Sequence, residues 1–153
     1  MFLLTGSMMA FLYHQHLLTS EKLIMKLNLP TVDLETAEDG KWFPFNDTIS
    51  FRVARDGNRN HKRALQNKFK SIEKMRTKND FAAVERLTNE MMVKYILKDW
   101  KGLEDDGQAL PFSEDAALNV ISNPEYEIIK EFITDCSQDR SEFETGEDEI
   151  VKK

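Results

Sequence analysis

Residues 81–113, FAAVERLTNEMMVKYILKDWKGLEDDGQALPFS, decide how this chain folds. Asn79-Asp80 supplies a side-chain acceptor for a helix start. Phe81, Val84, Leu87, Met91 and Tyr95 then recur at spacings of three and four, which places them on one helical face. Glu85, Arg86, Glu90, Lys94 and Lys98 fall outside that face. The pattern predicts a helix over 80–99, stopped by Gly102. Residues 101–112, with two Gly and one Pro, read as a loop. Ser113 before Glu114-Asp115 combines an N-cap with acids at the positive end of a helix dipole, which predicts a short helix over 114–122.

Working outward, Leu65, Phe69, Ile72 and Met75 mark the apolar stripe of a helix over 60–77 with a basic back. Before it, Trp42-Phe43-Pro44-Phe45 and Ile49-Ser50-Phe51-Arg52-Val53 flank an Asn46-Asp47-Thr48 turn. Their period-two alternation predicts a β-hairpin over 41–55, with Pro44 confining the first strand to an edge. Residues 25–40 are polar, carry Pro30 and Gly40, and read as an extended arm. Downstream, Asn123-Pro124-Glu125 sets the start of a helix over 124–138, with Tyr126, Ile129, Ile133 and Cys136 facing inward. Residues 140–153 hold only Phe143, Ile150 and Val151 as bulky apolar side chains and read as an acidic flexible tail. The expected fold is mainly α, a small α+β domain of about four helices with an N-terminal β-hairpin, in one globular unit over 41–139.

The charge is uneven. A net charge of -6 and a pI near 5.2 argue against wholesale binding to nucleic acid or anionic membrane, which are themselves negative. Yet residues 52–78 hold ten Lys/Arg against two acids, while residues 99–153 hold sixteen acids against five bases. The basic 52–78 segment therefore keeps a second reading open, a small nucleic-acid-binding or regulatory protein, although it lacks an aromatic stacking platform. Residues 1–24 are an apolar extension with no basic residue before Lys22 and no small-residue cleavage site, and His14-Gln15-His16 interrupts the apolar run. It fits neither a secretory signal nor a membrane span.

No residue set points to catalysis or to a cofactor. His14, His16 and His61 have no Cys or paired acid at ligand spacing, so no metal is expected. Asp56-x-Asn58-x-Asn60 imitates the start of a calcium loop but places His61 where that loop needs Gly and Asn67 where it needs a bidentate Glu. The lone Cys136 excludes an internal disulfide and reads as a buried thiol. Gly-rich phosphate loops and the nucleophile-elbow pattern are absent. Large apolar side chains at element ends are the candidate protein-binding residues: Trp42, Phe45, Trp100, Leu103, Phe112 and Phe143.

The order of these stretches, GKWFPF, ISFRVARDGN, YILKDWKGLEDDGQALPFSEDAALNVISNPE and a Phe-containing acidic tail, resembles the tail assembly chaperones of long-tailed bacteriophages and prophages. The similarity runs from about Gly40 to Phe143, and LKDWKGLEDDGQALPFS is its most specific part. The resemblance implies a non-catalytic protein of the host-cell cytoplasm that binds the tape-measure protein, keeps it soluble, and helps recruit tail-tube protein, with self-association open. Residues before Met25 lie outside it, so the product is expected to begin at Met25.

Overall fold

Alternation in Ser50-Phe51-Arg52-Val53 sends Phe51 and Val53 to one face of a strand, and both are fully buried. The computed structural model describes residues 27–145. In chain order these form α1 (Leu34–Asp39), β1 (Lys41–Pro44), β2 (Ser50–Val53), α2 (Arg59–Thr77) and α3 (Phe81–Tyr95). They continue through β3 (Leu97–Lys101), β4 (Glu104–Asp105), β5 (Gln108–Ala109), α4 (Glu114–Ser122) and α5 (Glu127–Gln138). Single 3-10 turns occupy Pro124–Tyr126 and Arg140–Phe143.

The structure corrects the expectation of a mainly α fold of about four helices with an N-terminal hairpin. Among the described residues there are five helices and two antiparallel sheets, one of order β1-β2-β3 and one of β4-β5. The hairpin over 41–55 is two thirds of a three-stranded sheet whose third strand comes from the predicted helix over 80–99. That helix ends at Tyr95 because β2 offers an open row of backbone donors and acceptors. Ala54 N–H donates to Ile96 O at 2.8 Å, and Phe51 and Arg52 then pair with Trp100 and Asp99. Ile96 at the helix end and Leu97 and Trp100 in the strand are buried, as their spacing would also allow on a helix. Periodicity therefore could not separate the two.

The core lies between the sheet and the helices. Phe43, Phe51 and Trp100 form one cross-strand row, and Phe51, Val53, Leu97 and Trp100 meet Val93, Ala117, Ile121 and Ile133. Burying one such side chain contributes about 1.5–3 kcal/mol. Asn58, itself buried, ties the pieces together. Its amide donates to Arg55 O and Tyr95 O, each at 3.0 Å, while its Oδ1 accepts from His61 N–H to cap α2.

The arm over 25–40, expected to be extended, contains α1. Asp33 caps it, accepting from the Thr36 hydroxyl at 2.7 Å and the Thr36 N–H at 3.0 Å, and these bonds hold its carboxyl below the usual value. Ala37 is buried beneath it. The first residues of the expected flexible tail are packed as well. Asp33 N–H donates to Phe143 O, Thr145 N–H donates to Thr31 O, Val32 bridges Glu144, and Lys41 pairs with Glu142. Residues 1–24, with their expected start at Met25, and residues 146–153 lie outside the described residues.

Candidate functional site

The six candidate binding residues fall into two groups. Phe45 packs edge-on to Phe51 and Phe132, with ring centroids 6.0 and 5.1 Å away. Trp100 is 5% exposed and stands edge-on to Phe112 at 5.0 Å. Phe143 is 1% exposed, 6.2 Å from Phe43. Interior packing thus absorbs Phe45, Trp100, Phe112 and Phe143. Trp42 and Leu103 are half-buried, Leu103 against the edge of the core. Trp42 lies in register with Arg52 and Asp99 on the sheet face opposite Phe51, and the Lys101 ammonium sits 4.0 Å above its ring.

Leu103 belongs to a half-open cleft of about 330 Å³ between the β4-β5 hairpin, α4 and the start of α5. The hairpin exists because Asp106 and Gly107 both take positive φ, 49° and 77°, the conformation of a two-residue turn that twists with its strands. Leu103 O accepts from Leu110 N–H at 2.9 Å and closes the loop. Leu110, Val120 and Ile129 join Leu103 along the apolar floor, while Glu104 and Asp105 make one wall and Tyr126 another. Tyr126, expected on an inner face, is 45% exposed and lines this cleft. Sequence reasoning missed Leu110 and Tyr126. The Asp-Gly pair was the signal, since a hairpin folds Leu110 back toward Leu103.

A second surface is α2, which buries none of its 19 residues. Arg59, Lys62, Arg63, Lys68, Lys70, Lys74 and Arg76 project from it against the single acid Glu73. Phe69 and Phe81, both assigned by spacing to inner faces, are 59% and 66% exposed.

Between α2, α3 and α5 a cavity of about 250 Å³ holds His61 against Leu65, Met91 and Met92. His61 Nδ1 accepts from Gly57 N–H at 3.2 Å and lies 3.2 Å from an Asp56 carboxylate oxygen. Burial pushes its pKa down, opposed by Asp56, and the neutral ring is the form that can accept from Gly57. Burial and the acids Asp135, Glu142 and Asp139 push the Cys136 thiol up to about 11. Among the described residues no group of three His, Cys, Asp or Glu is placed to hold a metal ion. No helix among them is long and apolar enough to cross a membrane.

The geometry defines a small α+β protein with an acid-walled apolar cleft and, separately, an unburied basic helix. Residues 46–153, more than two thirds of the chain, match the family model described as YdaY prophage protein, and the chain belongs to that family. The resemblance to phage proteins is thereby borne out at the level of phage or prophage origin. No curated protein and no solved structure matches the chain.

Proposed function

We propose that this prophage protein is a non-catalytic tail assembly chaperone of the host cytoplasm. In this reading it binds the tape-measure protein, keeps it soluble and helps recruit tail-tube protein. The observation that carries the reading is the cleft at Leu103, Leu110, Val120 and Ile129. Its hairpin side, Leu103 to Leu110, lies within the stretch that most specifically resembles such chaperones, and the cleft has room for an apolar side chain from an amphipathic helix. A long helical chain with an exposed apolar stripe aggregates unless it is covered. Covering apolar area stabilises a complex by roughly 25 cal/mol per Å². Exposed ion pairs add only about 0–1 kcal/mol each and are screened over ~8 Å at physiological salt. The cleft floor therefore holds the partner, and Glu104 and Asp105 orient it.

Co-expression with the cognate tape-measure protein tests this. The tape-measure chain should stay soluble, co-purify, and remain bound after a high-salt wash. Leu110→Asp, which places a charge on the cleft floor, should abolish co-purification while the variant alone stays folded. Tape-measure solubility indifferent to the chaperone would overturn the reading. The alternative, a nucleic-acid binder using residues 52–78, requires the isolated protein to retard DNA at low salt and to release it steeply as salt rises.

A further inference from the structure

We propose that copies of this chain associate head to tail, the basic outer face of α2 in one molecule seating on the acidic outer face of α5 in the next. On α2, Phe69 is 59% exposed in a shallow groove with Leu65 and Ile72, lined also by Glu73 and Arg76, and the exposed cations Lys62 and Lys70 belong to the same helix. Among the described residues, Arg59 is the only cation of this helix paired with an acid, through Glu38 at 3.4 Å. On α5, Glu127, Glu131 and Asp135 follow at intervals of four along one exposed side, and none has a cationic partner among the described residues. Ile128, 64% exposed, stands beside them.

Each face is thus an exposed apolar side chain in a field of mostly one sign, basic on α2 with Glu73 as its single acid and acidic on α5 with Lys130 engaged by Glu85, and the signs are opposite. An apolar anchor in a basic field fits a partner that offers an apolar anchor in an acidic field, and this chain carries both. Two different patches meeting make a heterologous contact, which closes into a ring or grows into an open chain according to the rotation between neighbours. One helix face against another is a small contact, so the association is weak and concentration-dependent. Opposed charge sets its register and speeds encounter. The contact uses the side of α5 that carries Glu127, Ile128, Glu131 and Asp135, whereas the cleft floor takes Ile129 from that helix, so substitutions at Phe69 or Ile128 and at Leu110 test the two inferences separately.

Sedimentation velocity of the full chain at low salt, over a wide concentration range, tests the proposal. The average mass should rise with concentration and fall back on adding salt. Phe69→Asp and Ile128→Asp should each weaken self-association by about tenfold or more. A mixture of these two variants should pair and stop at dimers, because one retains only its α5 face and the other only its α2 face. Both side chains are exposed, so neither change reaches the core. If circular dichroism nonetheless shows a folding defect, Lys70→Glu and Glu131→Lys serve instead, each dissociating alone and reassociating when mixed. A wild type that stays monomeric throughout, association indifferent to these substitutions, or mixtures that fail to pair would overturn the proposal.

Discussion

The indole Nε1–H of Trp100 donates a 2.8 Å hydrogen bond to the carbonyl oxygen of Leu110, ten residues downstream. This bond joins the end of the three-stranded sheet to the segment that leads into α4, and it spans the whole β4-β5 hairpin. Trp100 is therefore both a core side chain and the strut beneath the cleft. Trp100→Ala should cost roughly 3–5 kcal/mol, a large share of the ~5–15 kcal/mol typical of a domain. Trp100→Phe keeps most of the packing but orphans the Leu110 carbonyl, at about 1–3 kcal/mol. Urea unfolding followed by far-UV circular dichroism measures both. A Trp100→Ala protein as stable as the wild type would contradict this placement.

Two glycines in the same loop should respond differently to alanine. A Cβ on Gly102, at φ 80°, would lie 1.9 Å from the Thr48 carbonyl oxygen, so the β1-β2 turn must move. A Cβ on Gly107, at φ 77°, meets nothing within 4 Å. Gly107→Ala should cost about 1–2 kcal/mol for the left-handed backbone alone, and Gly102→Ala about 3 kcal/mol or more once the clash is added. Equal losses in thermal melts would show that the close approach of residues 48 and 102 is wrong.

Acidification should destabilise the protein through His61. Its folded pKa lies below the ordinary 6.5, so between those two values the unfolded chain binds more protons than the folded one. Stability therefore rises with pH across that window and is fully present above about 6.5. Melting temperature should fall as pH is lowered from 7.5 toward 5, and His61→Gln, which keeps an acceptor near Gly57, should flatten the slope. An unchanged slope would remove His61 as its source.

Cys136 should be sluggish toward alkylation. A thiol at about 11, against the ordinary 9.0, holds roughly a hundredfold less thiolate at neutral pH. Intact-mass time courses with iodoacetamide, compared with free cysteine at the same pH, should show a rate lower by about that factor. Urea should restore ordinary reactivity.

Elements set by local chemistry were legible in the sequence. Asp80 and Ser113 each cap the helix that follows, and Phe51 and Val53 alternate into the core. What escaped was decided at a distance. Leu97 and Trp100 suit a helix and a strand alike, and only the open edge of β2 makes them a strand. Six residues are too few for α1 to show a period, although Asp33 and Thr36 announce its cap. Phe143 looked like a loose aromatic in an acidic tail because its pocket is built by Phe43 and the α1 arm, about a hundred positions earlier. Of the cleft, Leu103 was legible and Leu110, Tyr126 and Ile129 were not brought to it, since a residue pattern does not show which loop folds over which helix. The Asp106-Gly107 turn was the one local clue, and it was read as loop.

Thr31 and Thr145 meet through their hydroxyls, 2.8 Å apart, and Val32 bridges Glu144, so the described chain leaves its fold beside the point where it came in. In connectivity the fold is nearly a closed ring. Closing a loop of this length carries an entropy cost that grows only slowly with its size. The contact is nonetheless repaid only after the interior has formed, so the seam should knit last on refolding and exchange its amide hydrogens first. A chain rejoined by a short Gly/Ser bridge from 145 to 31 and reopened between Asp106 and Gly107 would keep the β1-β2-β3 pairing, the core and all five helices. The order in which these pieces are read out along the polypeptide is then a matter of history, and the packed arrangement can be reached from a different starting residue.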